Sequence, residues 1–216
     1  MTDPAEQARR RARMVDQDLA HRGIRDPAVL AAMGAVPREA FLPASLADHA
    51  YDDCALPIEE SQTISQPYIV AAMAEAAEVG AGDRVLEVGT GSGYGAAVLR
   101  RLADQVLTIE RHPGLAHSAA AALARLGLAD VVVIEGDGSL GWAEGGPYDA
   151  IVVTAASPTV PAALVQQLAD GGRLIIPVGA RHGAQQLVRV RRAGTALTED
   201  DLGPVAFVPL VGDQGW

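Results

Sequence analysis

Arg84-Val85-Leu86-Glu87-Val88-Gly89-Thr90-Gly91-Ser92-Gly93-Tyr94-Gly95 is an apolar run that passes straight into a glycine-dense turn and then into an alanine-rich stretch. The aliphatic, β-branched segment fits a buried parallel strand. Glycines, lacking a Cβ, let backbone N–H groups come close to a ligand. The helix expected next aims its N-terminus at the same place. Spacing separates the ligands that use such a turn. A dinucleotide fingerprint reads Gly-x-Gly-x-x-Gly and seats a pyrophosphate on the helix. Here Gly89, Gly91 and Gly93 alternate, and an acid, Glu87, stands just before them.

A carboxylate in that position disfavours phosphate and favours ribose hydroxyls or a cationic ligand. This points to S-adenosylmethionine, which carries a sulfonium and an amino group and no phosphate; a purely structural tight turn is the alternative. Two more acids end the strands expected next. Glu110 falls about twenty residues past Gly89, where ribose hydroxyls are usually met, and Asp137 sits in Glu135-Gly136-Asp137-Gly138. One carboxylate accepts from two ribose hydroxyls, and another can accept from an adenine amino group. Any one of them alone also reads as a surface loop acid; three at successive strand ends favour a cofactor.

Working outward, apolar strands expected at 84–88, 106–110, 131–135, 149–154 and 172–178 alternate with helices at 93–103, 114–126 and 160–168. Gly127 and Gly171 mark turns. That alternation predicts βαβ units and a doubly wound, mostly parallel α/β sheet. Residues 185–191 and 205–210 read as two further strands paired antiparallel at one sheet edge. Upstream, residues 5–21 carry Met14, Val15 and Leu19 on one helical stripe, with His21-Arg22-Gly23 as a stop. Asp26-Pro27 opens a second short helix holding Val29, Leu30 and Met33, and residues 51–66 are irregular before Pro67 starts a helix running through Val79. The expectation is one domain, 1–216, in which residues 1–80 form a helical cap and substrate loop and residues 81–216 the cofactor-binding sheet.

The formal charge of −10 argues against a protein that tracks nucleic-acid backbone. The basic cluster Arg9-Arg10-Arg11-Ala12-Arg13 reads as a solvated helix face. No run of eighteen or more apolar residues and no secretory leader is visible, so a cytoplasmic protein without membrane contact is expected. A single cysteine, Cys54, excludes an internal disulfide and is expected half-buried and inert. The five histidines lack metal-ligand spacing, and no metal is expected. Trp142 and Trp216 read as packing residues. Ser65, in Gln62-Thr63-Ile64-Ser65-Gln66-Pro67, has no histidine base nearby and no nucleophile-elbow context, so a serine hydrolase is discounted. An orienting hydroxyl and a helix N-cap before Pro67 both remain open.

These segments resemble the protein-L-isoaspartate O-methyltransferase family over nearly the whole chain. The resemblance rests on Arg22-Gly23-Ile24, Val36-Pro37-Arg38-Glu39-Ala40-Phe41, Gln62 to Tyr68, Val85 to Tyr94, Thr108-Ile109-Glu110-Arg111, Gly136-Asp137-Gly138, Asp149 to Ala156 and Phe207-Val208-Pro209-Leu210. Of these, Thr63 to Pro67 is far more specific than the glycine turn. The resemblance implies a Rossmann-like S-adenosylmethionine-dependent methyltransferase fold with added N-terminal helices. It implies methyl transfer to the free carboxylate of L-isoaspartyl residues in damaged proteins and peptides, after which the ester closes to a succinimide. Ser65 is then the catalytic hydroxyl. Glu87, Gly89, Thr90, Gly91, Ser92, Gly93, Tyr94, Glu110, Arg111, Asp137 and Gly138 hold the cofactor. Gln62, Thr63, Ile64, Ser65, Thr154, Ala155, Ala156, Leu210 and Val211 line the peptide site. A monomer is expected. The family usually has Gly-x-Gly before Gln62, whereas this chain has Glu59-Glu60-Ser61. That departure keeps one other reading in view, an aspartate O-methyltransferase acting on a dedicated peptide natural-product precursor; a non-catalytic binding module is a third class, which the strand-end acids disfavour.

Overall fold

The computed structural model describes residues 3–181 and 183–216. The chain begins with α1 (Pro4–Arg13), capped by the Asp3 carboxylate, which accepts from the N–H of Ala5 at 3.0 Å. The expected amphipathic helix does continue, but its second half widens into a π-type turn over Met14–Leu19 and tightens again over Ala20–Arg22. Gly23 then ends it at φ 110°, a left-handed conformation suited to glycine. The arginine cluster lies on a solvated face, Arg9 and Arg13 being exposed and Arg10 and Arg11 half-buried. Arg9 and Arg10 pair with Glu6, while Arg10 also donates to the Asp48 carbonyl and Arg11 to the Tyr51 hydroxyl. The last two bonds tie α1 to the loop that follows α2 (Pro27–Ala35). Pro27 at the first helical turn and Asp26 at the cap, accepting from Ala28 N–H at 2.8 Å, explain where α2 starts.

The irregular stretch before Pro67 contains a small ladder, β1 (Leu56–Pro57) against β2 (Thr63–Ile64), antiparallel. Helix α3 (Pro67–Ala76) follows. The main sheet comprises β3 (Arg84–Val88), β4 (Gln105–Glu110), β5 (Val132–Glu135), β6 (Tyr148–Val153), β7 (Leu168–Gly179), β8 (Gln185–Ala193) and β9 (Ala196–Val205). Helices α4 (Tyr94–Arg100), α5 (Pro113–Arg125) and α6 (Ala162–Gln166) connect the parallel strands. Strand order is β5-β4-β3-β6-β7-β8-β9, parallel from β5 to β7 and antiparallel beyond. The chain winds one way from β3 and the other way from β6, so the crevice at their carboxyl ends is the switch point where such sheets bind ligands.

Both faces of the sheet are covered, which is why its strands read as continuous apolar runs. Val85, Val106, Ala150 and Ile175 face one core with the N-terminal helices; Leu86, Ile109, Ile151 and Leu174 face a second core with Leu164 of α6. Helix α5 ends as its sequence implies: Gly127, at φ 73°, donates to the Ala124 carbonyl and Leu128 to the Leu123 carbonyl, both at 3.0 Å.

One expected strand is displaced. The last strand is β9, Ala196–Val205, and residues 206–210 leave the sheet instead of extending it. β9 is an edge strand bearing Glu199, Asp200 and Asp201, held by ladder bonds to β8 and by Arg189 bonding Asp200, so burial leaves no apolar alternation in its sequence. Residues 206–210 are apolar for a different reason: they run beside Ala156. Ala156 donates to the Val208 carbonyl at 2.8 Å, and Leu210 returns a bond to the Ala156 carbonyl at 2.7 Å. Cys54 also departs from expectation, being exposed.

Candidate active site

The crevice at the switch point is a cleft of about 650 Å³, within the range of small-molecule sites. Its floor is the glycine turn. Its walls include the 62–66 loop with α3 and the 204–211 segment. Gly89 leaves β3 at φ 96°, so close to β6 that a Cβ there would lie 2.3 Å from Thr154 Oγ1. Gly91 and Gly93 also take positive φ, 52° and 90°. The turn is thus folded by glycine's access to left-handed backbone and by the absence of side chains between strands.

Glu110, at the end of β4, is buried, and its two oxygens accept from the N–H of Gly91 and of His112, each at 2.9 Å. Each carboxylate oxygen keeps a second lone pair for a ligand hydroxyl. Glu87 lies deeper. Thr108 donates to it at 2.6 Å and stands 2.7 Å from the Thr90 hydroxyl, forming a short chain beneath the turn. Gly95 makes room for the Glu87 carboxyl: a Cβ there would lie 2.2 Å from Oε1. Burial pushes the Glu87 carboxyl up to about 8, the Thr108 bond opposing this and the nearby Glu110 charge adding to it.

This shift has a sign. The folded protein keeps the Glu87 proton while the unfolded chain releases it near its ordinary 4.5. Between that value and about 8, stability therefore falls as pH rises, and it levels off above. Urea titrations of the ligand-free protein at several pH values in this window should show that slope, and Glu87→Gln should flatten it. An unchanged slope in the variant would place the titration elsewhere.

Asp137 is placed differently from its neighbours. Its carboxylate accepts from the N–H and hydroxyl of Ser139 at 2.9 and 2.7 Å and from the N–H of Asp213 at 2.7 Å. Burial would raise this carboxyl, but those donors and Arg111 outweigh it and hold it below the ordinary value. Gly212 packs onto the same group, where a Cβ would lie 1.9 Å from Oδ1. The Gln214 N–H bonds the Ser139 hydroxyl at 3.0 Å, and the Trp216 indole donates to the Ala156 carbonyl at 3.2 Å. Asp137 thereby latches the segment whose Leu210 and Val211 wall the cleft.

Of the residues singled out by sequence, the cleft is lined by Gln62, Thr63, Ile64, Ser65, Glu87, Gly89, Thr90, Gly91, Ser92, Tyr94, Glu110, Arg111, Gly138, Thr154, Ala155, Leu210 and Val211. Gly93, Asp137 and Ala156 stand behind that lining. Ser65 is half-buried, and the residue at the α3 cap is Gln66, which makes no side-chain capping bond. The N-cap alternative for Ser65 therefore falls away. Sequence reading missed His112 and the stretch 204–209, all of which face the cleft. It also missed Thr108, a polar residue inside an otherwise apolar strand, which was the available signal. Among the described residues, no group of three or more His, Cys, Asp or Glu is placed to hold a metal, and no helix is long and apolar enough to cross a membrane. His182 lies outside the described residues.

A switch-point cleft floored by a Gly-x-Gly-x-Gly turn and flanked by strand-end acids defines a methyltransferase of the Rossmann-like class. A family model described as protein-L-isoaspartate(D-aspartate) O-methyltransferase matches residues 9–215. Protein-L-isoaspartate O-methyltransferase 1 of Rhodopseudomonas palustris (strain HaA2) is 59% identical over 210 residues, 97% of this chain and 86% of the relative. Its namesake in Geotalea uraniireducens (strain Rf4) is 58% identical over 210 residues, 97% and 96% of the two chains. A solved protein-L-isoaspartate O-methyltransferase superposes with a TM-score of 0.85 at 31% identity, covering 95% of this chain and 67% of the other. Another, from Plasmodium falciparum in complex with S-adenosyl-L-homocysteine, gives 0.80 at 26% identity, covering 93% and 98%. The chain belongs to the protein-L-isoaspartate(D-aspartate) O-methyltransferase family.

Proposed function

We propose that this protein transfers a methyl group from S-adenosylmethionine to the free carboxylate of L-isoaspartyl residues in proteins and peptides. The observation that carries this is the meeting, in one cleft, of the Gln62–Gln66 loop with the glycine turn and Glu110. The residues suit the cofactor: glycines leave room at the turn, Glu110 offers lone pairs to hydroxyls, and Glu87, bonded to Thr108 beneath the turn, supports it from below while reaching the cleft lining. When bound, S-adenosylmethionine supplies an electrophilic methyl group on a sulfonium.

The protein's own part is positioning. The acceptor carboxylate, with a reference pKa of about 4, is already ionised at neutral pH and needs no general base. Ser65 faces the cleft and donates its hydroxyl hydrogen to one carboxylate oxygen, which directs the other toward the glycine turn. The apolar stretch Phe207 to Val211 also lines the cleft and keeps water from the reacting charges. Glu87, Gly89 to Tyr94, Glu110, Arg111, Asp137 and Gly138 hold the cofactor, directly or by shaping the cleft; Thr154, Ala155 and Ala156 with Leu210 and Val211 hold the peptide. In this reading the chain works as a single monomeric domain in the cytoplasm, with its N-terminal eighty or so residues as cap and substrate loop, and without nucleic acid or membrane.

Paired peptides that differ only in carrying isoaspartate or aspartate, incubated with labelled cofactor, test the reading. Label should enter only the isoaspartyl peptide, and none entering it would sink the proposal. Ser65→Ala should lower kcat about tenfold, as expected for one lost orienting hydrogen bond, with S-adenosylhomocysteine affinity within about threefold of the parent. Unchanged turnover would remove Ser65 from the mechanism. A second reading has one observation behind it. Glu60 and Ser61 both hold φ 56°, a conformation costly for residues with a Cβ, and the Glu60 carboxylate reaches to 3.7 Å from His112 Nδ1 at the cleft rim. This unusual rim is compatible with a dedicated precursor peptide, and methylation of a normal aspartate in such a peptide would favour that function.

A further inference from the structure

Arg38 opens a short turn, Arg38–Phe41, between the N-terminal helices and the substrate loop, and it is fully buried. Among the described residues no carboxylate bonds its guanidinium. The side chain instead reaches backbone: Nη1 donates to the Ala50 carbonyl at 2.5 Å, and Nη2 to the carbonyls of Cys54 and Ser65 at 3.2 and 3.0 Å. Its guanidinium carbon lies 5.8 Å from the centre of the Tyr94 ring. Tyr94 is the first residue of α4, directly after the glycine turn.

A buried cation is costly: Asp53 attracts it without bonding it, and its Nε has no hydrogen-bond partner among the described residues, so the three carbonyl bonds are the hydrogen bonds that offset its desolvation. Together they pin one loop at three points and set it against the helix that leaves the cofactor turn. Within the same loop Asp53 adds further ties, accepting from Gln66 Nε2 at 2.7 Å and from the Tyr68 N–H at 3.1 Å, and pairing with Arg22. Ser65 directly precedes the first of these partners. Its hydroxyl is not used to cap α3, so its direction follows from the main chain that carries it. The Ser65 carbonyl is the part of that main chain in the grip of Arg38.

We propose that Arg38 is a positioning residue: by holding the Ser65 carbonyl beside Tyr94, it fixes where the Ser65 hydroxyl points relative to the glycine turn. The inference rests on Ser65 orienting the acceptor carboxylate, and it adds the element that orients Ser65. A guanidinium is needed because its planar fork serves several carbonyls at once, whereas an ammonium on a flexible stem is a point donor.

A double-mutant cycle separates positioning from a general structural role. Arg38→Lys and Arg38→Met are made in the parent and in Ser65→Ala, and kcat on an isoaspartyl peptide is expressed per S-adenosylhomocysteine site counted by calorimetry. In the parent, Arg38→Lys should lower kcat about fivefold or more and Arg38→Met further, with affinity for S-adenosylhomocysteine within about threefold. In the Ser65→Ala background the Arg38→Lys effect should shrink to less than about twofold, because the group it acts through is gone. Equal effects in both backgrounds, or no effect in either, would overturn the proposal. So would loss of S-adenosylhomocysteine binding in both Arg38 variants, which would make Arg38 a residue of the whole fold. An inactive parent that still binds S-adenosylhomocysteine would instead refute the isoaspartyl reading itself.

Discussion

Gly89→Ala is expected to destabilise the protein by about 3 kcal/mol and to weaken S-adenosylhomocysteine binding more than about a hundredfold. Two separate costs add here. The backbone at Gly89 has φ 96°, which a residue with a Cβ adopts only under strain. The added methyl would also meet Thr154 Oγ1 at 2.3 Å. That hydroxyl cannot turn aside freely, because it donates to the carbonyls of Gly89 and Val88 at 2.7 and 3.1 Å. Moving it would loosen the seam between β3 and β6 at the floor of the cleft. Adding Thr154→Ala should recover the steric part and leave the conformational part, so the double variant should regain roughly half the lost stability. Urea denaturation and calorimetry read both quantities. A Gly89→Ala protein that melts and binds like the parent would show that the turn adapts, contrary to the geometry described above.

Glu110→Ala should weaken S-adenosylhomocysteine binding about a hundredfold while leaving the protein folded. The carboxylate does two jobs with the same oxygens. It ties the Gly91 and His112 N–H groups into position, and in the proposed function it receives ribose hydroxyls on its remaining lone pairs. Each bond to a charged acceptor is worth about 1.5–3 kcal/mol, so the loss of either job alone is measurable. Glu110→Gln is the sharper variant. Its amide keeps the shape, but one end now presents hydrogens toward a main-chain N–H that needs an acceptor, so it should bind nearly as poorly as the alanine form. Calorimetric titration decides between them. A change of less than about threefold in both variants would remove Glu110 from the cofactor site.

The strands that carry the site were legible because burial on both faces leaves a plain signature: Ala150 to Val153 is an unbroken apolar run, Val85 to Val88 is interrupted only by Glu87, and both end beside glycines or polar groups. Glu87 and Glu110 were legible as strand-end acids, since topology alone brings such positions to one crevice. What escaped was set by contacts distant in sequence. The apolar character of Val205 to Leu210 suggested a strand, but it reflects packing beside Ala156 and exposure to the cleft. The real strand, Ala196–Val205, is hidden by its acids because it is an exposed edge paired on one side. Asp137 was visible as an acid at the end of β5, yet its partner at Asp213 lies 76 residues away and no local pattern announces it. Arg38 likewise looks like a surface residue in Pro37-Arg38-Glu39, and only the carbonyls converging on it explain its burial.

The latch that Asp137 and Ser139 place on residues 212–214 makes the cleft wall part of one cooperative unit with the sheet. The Asp213–Asp137 bond spans 76 residues, and closing so long a loop costs entropy before its contacts return anything. Pairing of the strands that lie between them closes most of that loop, so the latch adds little further cost. Leu210 and Val211 are thereby held at the cleft by the same sheet that carries the glycine turn, and the wall loosens only as the sheet beneath it loosens.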